Sequence, residues 1–74
     1  MSKLPQIKPK KLVKLFIKQG FKISRQVGSH IRLIDSNGRK ITVAIHNKPI
    51  ASGTLQSILK QAKLSREEFL DLIK

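Results

Sequence analysis

Two histidines, His30 and His46, are the side chains of this 74-residue sequence whose ordinary pKa lies near neutrality. His30 ends the stretch Arg25-Gln26-Val27-Gly28-Ser29-His30 and is followed by Ile31-Arg32. An imidazole beside guanidinium groups suits proton transfer next to a bound phosphoryl group. Other chemistries fit the spacing less well. Two histidines without a cysteine or a neighbouring acid supply two ligands where zinc wants three or four, so no metal is expected. Ser29 directly precedes His30, and in an extended chain adjacent side chains point apart, which argues against a Ser-His-acid hydrolase. Four scattered glycines form no phosphate-cradling loop.

RNA cleavage asks for little more than such a histidine among cations. A base removes the 2′-hydroxyl proton, the oxygen attacks the adjacent phosphorus, and an acid protonates the departing 5′-oxygen. Arg or Lys side chains and the backbone N–H groups of Gly28-Ser29 would hold the phosphate. Charge supports a polyanionic partner: 16 Lys and Arg stand against 4 Asp and Glu, a net +12. Residues 1–34 hold nine of the positive charges and no acid. The three aromatics, Phe16, Phe21 and Phe69, fall on apolar faces, which argues against binding single strands by base stacking. The competing readings are plain ones, a basic surface kept for solubility and a surface histidine.

The elements that must position these residues follow from periodicity. Leu12, Val13, Leu15 and Phe16 form a helical stripe, with Lys10, Lys11, Lys14 and Lys18 on the other side. Pro9 suits the first turn and Gly20 a left-handed C-cap, so a helix is expected over Pro9–Gln19. Three alternating segments, Phe21–Val27, His30–Asp35 and Lys40–His46, predict strands with one buried face. In the first, Phe21, Ile23 and Val27 would point inward and Lys22, Ser24 and Gln26 outward.

The turn after the second strand sets the register. A two-residue loop at Asn37-Gly38 would put the apolar residues of the two strands on opposite faces. A three-residue loop, Ser36-Asn37-Gly38 with Gly38 left-handed, pairs Ile31 with Val43, Leu33 with Ile41 and Asp35 with Arg39. His30 then lies opposite Ala44 and Arg32 opposite Thr42 on the open face, with Ile34 an apolar exception there. His46 would be a diagonal neighbour of His30, roughly 7–8 Å away.

Ser52 suits the N-cap of a second helix carrying Leu55, Ile58, Leu59 and Ala62. Ser65 and Glu68 predict a capping box, and Leu64 and Phe69 a hydrophobic staple, at the start of a third. The order α-β-β-β-α-α predicts an α+β domain, a three-stranded antiparallel sheet with helices on one face. One domain over residues 9–74, behind a flexible basic leader 1–8, is all that this length permits. No run reaches the ~18 apolar residues that span a bilayer, and no secretory signal is present. With no cysteine, a cytoplasmic setting is expected.

Several stretches together resemble the HicA-type toxins: Gly20-Phe21, Arg25 through Arg32, Ile41-Thr42-Val43-Ala44-Ile45-His46, and Gly53 through Ala62. The similarity runs in order over roughly residues 9–70. The resemblance implies a double-stranded-RNA-binding-like fold and a metal-independent endoribonuclease that cleaves mRNA without a cofactor. It also implies a HicB-type antitoxin that covers the site, a monomeric free toxin and a hetero-oligomer with the antitoxin. By position, His30 matches the catalytic histidine, Gly28 and Ser29 the turn before it, and His46 the histidine ending the third strand. Lys22, Arg25, Gln26, Gly28, Ser29, Arg32 and His46 are the candidate RNA and phosphate contacts. Ala44 stands where the family commonly has proline, and Lys63 where it commonly has glycine, at a left-handed C-cap costing ~1 kcal/mol. The alternatives are a non-catalytic double-stranded-RNA-binding module, contacting backbone through Lys10, Lys14, Lys18, Lys22 and Arg25, and a subunit that binds an acidic protein.

Overall fold

The computed structural model describes residues 4–73. Helix α1 spans Pro9–Lys18, strands β1, β2 and β3 span Lys22–Val27, His30–Ile34 and Lys40–Ala44, and helices α2 and α3 span Ser52–Gln61 and Arg66–Leu72. The strands form one antiparallel sheet in the order β1-β2-β3. The chain is thus α+β in the order α-β-β-β-α-α. The core joins one sheet face (Ile31, Leu33, Ile41, Val43) to the helices through Leu12, Phe16, Leu55 and Phe69, all buried.

The helix ends are closed by backbone geometry. After α1, Phe21 N–H donates to the Phe16 carbonyl and Gly20 N–H to that of Ile17, while Gly20 adopts φ +103°. This is a Schellman cap, and the Phe16 and Phe21 rings complete it edge-to-face at 5.1 Å. The same pattern ends α2, where Leu64 N–H donates to Leu59 and Lys63 N–H to Lys60. There Lys63 holds the left-handed position, at φ +55°. Arg39 links the two caps: its Nη1 donates to the Ala62 carbonyl at 2.9 Å, and its guanidinium lies 5.3 Å from the centre of the Phe21 ring. The Ser65–Glu68 capping box starts α3 as expected. Helix α2 begins one residue earlier than expected, with Ala51 as N-cap. Ser52 makes no capping bond and stands inside the first turn.

The hairpin register agrees with the three-residue loop. Ile31 pairs with Val43, Leu33 with Ile41, His30 with Ala44 and Arg32 with Thr42, and Gly38 has φ +85°. The expected leader is anchored at its inner end. Ile7 is 5% exposed, and its carbonyl accepts from Ile50 N–H at 2.8 Å. Met1–Lys3 of that leader lie outside the described residues. Among the described residues no helix is long and apolar enough to cross a membrane.

Candidate functional site

Val27-Gly28-Ser29-His30 is a two-residue hairpin closed by the Val27–His30 pair. Gly28 has φ +58° and Ser29 keeps a negative-side backbone, the pattern of a type II′ turn, which demands glycine first. Ser29 is held from a second side, because its carbonyl accepts from Ile45 N–H at 2.6 Å. Its role is therefore that of a fixed turn residue beside His30, which opens β2 on the sheet face away from the helices.

Strand β1 departs from the simple alternation. Lys22 pairs with Ile34 and Ile23 with Leu33, but the next pair is Arg25 with Arg32, so Ser24 is the extra residue of a β-bulge. Its hydroxyl donates to the Arg32 carbonyl at 3.4 Å. Beyond the bulge, every side chain changes face relative to the expected alternation. Arg25 and Val27 join the open face opposite Arg32 and His30, and Gln26 goes to the other side opposite Ile31. Gln26 Nε2 donates to the Gly28 carbonyl at 3.3 Å, inside its own turn. Val27, expected inward, is 59% exposed on the His30 face. Ile23 lies opposite Leu33 on the helical side and is nevertheless 49% exposed, on the edge strand of the sheet.

Arg25, Val27, His30, Arg32 and Thr42 together line a cleft of about 140 Å³. Arg25 and Arg32 are a directly opposed pair of like charges, an arrangement that destabilises a sheet unless an anion lies between them. Among the described residues no acid relieves it. Asp35 is turned to the core side, where Arg39 Nε meets its Oδ2 at 2.5 Å, and Glu67, Glu68 and Asp71 all belong to α3. Desolvation pushes the Asp35 carboxyl upward, but the Arg39 N–H, the Arg39 guanidinium and the Asn37 N–H outweigh it and hold the pKa below its ordinary value. Glu68 is lowered chiefly by its hydrogen bonds with Ser65.

His46 lies beyond the paired part of β3. The last ladder pair is His30 with Ala44, after which the chain turns so that Ile45 and Ile50 pack on the core. His46 lines a second cleft of about 210 Å³ with Lys48, Pro49, Thr54 and Ile58. Strand β3 thus ends two residues before the expected end at His46, with Ala44 its last paired residue. Val27 is the cleft residue that alternation hid, and only the bulge reveals it.

An antiparallel three-stranded sheet, backed by helices and open on a cationic, histidine-bearing face, defines a small α+β domain. The chain belongs to the HicA toxin family of bacterial toxin–antitoxin pairs, whose model matches residues 9–64. No curated protein matches the chain.

Proposed function

We propose that this toxin is a metal-independent endoribonuclease that cleaves single-stranded mRNA at the His30 cleft. One observation carries the reading: an exposed histidine shares a cleft with two opposed arginines that no acid among the described residues neutralises. Arg25 and Arg32 hold the scissile phosphate and offset the charge that gathers on its non-bridging oxygens. The 2′-oxygen bonds to phosphorus as the bond to the 5′-oxygen breaks, leaving a cyclic phosphate and a 5′-hydroxyl. His30 carries one of the two proton transfers. The other proton is exchanged with water. A HicB-type antitoxin, acidic where it meets this face, silences the toxin by covering the cleft.

The test compares wild type with His30→Ala on a single-stranded transcript. Removing a general acid–base group should slow cleavage about 10²–10⁴-fold with the circular dichroism spectrum unchanged, and a chelator should leave wild-type cleavage intact. Undiminished cleavage by the variant overturns the assignment.

A second reading rests on the lysine face of α1. Lys10, Lys11, Lys14 and Lys18 are all exposed on the helical layer, away from the cleft. A module that only binds double-stranded RNA through these lysines would give salt-dependent binding and no product.

A further inference from the structure

The pairings of both ladders arrange the open face as three cross-strand rows. Val27, His30 and Ala44 form the first, Arg25, Arg32 and Thr42 the second, and Lys22, Ile34 and Lys40 the third. Same-face residues along a strand recur every two positions, so successive rows lie about 6.6–6.8 Å apart. Along β2 the face therefore reads imidazole, guanidinium pair, then an isoleucine flanked by two ammonium groups. Lys22 and Lys40 are both exposed, and Ile34 between them is half-buried. Ile34 is the one large apolar side chain of β2 on this face, and nothing in the core explains it.

We propose that Lys22 and Lys40 form a second phosphate subsite, one linkage from the scissile phosphate toward the Ser36-Gly38 loop, with Ile34 as the apolar floor between the two ammonium groups. This rests on the reading of the His30 cleft as the cleavage site. The two lysines stand one strand on either side of Ile34, about 9–10 Å apart at their backbones, so their flexible stems can converge on one anion above it. The repeat from the arginine row to the lysine row matches the stride of an extended polynucleotide better than the footprint of a compact anion. The occupant is a single-stranded polyribonucleotide that spans at least two linkages. Lys40 thereby acquires a part in binding, which its place beside the hairpin loop does not by itself suggest.

The subsite can be read without cleavage, using a 2′-O-methyl single-stranded oligonucleotide that lacks the attacking hydroxyl. One neutral methylphosphonate linkage is walked along the strand, and Kd is measured for wild type and for the Lys22→Ala/Lys40→Ala double variant. At one position the neutral linkage should weaken wild-type binding about tenfold and the variant less than about twofold, the coupling expected of groups in contact. With both ammonium groups removed from that one phosphate, the slope of log K against log salt should fall by about 0.7 in the variant. Equal losses in both proteins at every position, or an unchanged salt slope, overturn the subsite. His30-dependent cleavage without this coupling would refute the subsite alone. Cleavage indifferent to His30 would refute the catalytic reading and leave the coupling measurable.

Discussion

Replacing Gly28 by Ala tests the turn that presents His30. An added Cβ would meet nothing within 4 Å, so no steric term enters and the whole cost is conformational. At φ +58° an L-residue pays about 1–2 kcal/mol. For a domain of this size that lowers Tm by about 4–16 °C. Gly53 gives the matched control. It also has open space around it, but it lies inside α2 without a positive φ. There the same added methyl group should stabilise by about 0.4–1 kcal/mol, through a less flexible unfolded chain. Thermal and urea unfolding followed by circular dichroism should therefore move in opposite directions for the two variants. Gly28→Asn should fall between Gly28→Ala and wild type, since asparagine tolerates the left-handed region. RNA cleavage should drop for Gly28→Ala more than its stability loss explains, because the Val27–His30 pair closes on this turn. Equal shifts for Gly28→Ala and Gly53→Ala would refute the argument that the turn depends on a left-handed glycine.

Lys63→Gly should stabilise the protein by ~1 kcal/mol by relieving the left-handed lysine that ends α2, read as a higher urea midpoint at constant m-value. Acid should weaken the fold through Asp35 and Glu68. Both carboxyls have folded-state pKa values below their ordinary 3.8 and 4.5, so their contribution is full above that range and is lost as pH falls through the folded values. An Asp35→Asn/Glu68→Gln variant should be less stable at pH 7, with the deficit shrinking below about pH 4 in denaturation curves.

The β2–β3 hairpin is legible in the sequence because two independent constraints agree. One-sided apolar patterning rejects the shorter loop, and Gly38 supplies the left-handed residue that the longer one needs. The caps are legible for the same local reason, since Gly20 and the Ser65–Glu68 box act within one turn. Strand β1 is not. A bulge at Ser24 carries no residue signature, yet one extra residue inverts the facing of everything from Arg25 to Val27. Edge position compounds this, since Ile23 looks like a core residue but is half exposed on the edge strand. The end of β3 is not legible either, because alternation continues through Ile45 whereas the ladder stops at Ala44. The site is thus half legible: His30, Arg32 and Thr42 come from the hairpin, Arg25 is a candidate through the resemblance but owes its facing to the bulge, and Val27 needs the bulge altogether.

The hydrogen bond between Ile7 and Ile50 bears on how this toxin can be dissected. The segment that matches its family runs over residues 9–64, but Ile7 before it and Phe69 after it are both buried in the same core. A fragment trimmed to that segment would strip the Ile50 N–H of its acceptor and open a hollow where the Phe69 ring packs. Losing that ring alone costs about 3–5 kcal/mol, a large part of what a domain this small has to spare. The two flanks are here the closing pieces of the interior, and the sheet that carries His30 depends on both.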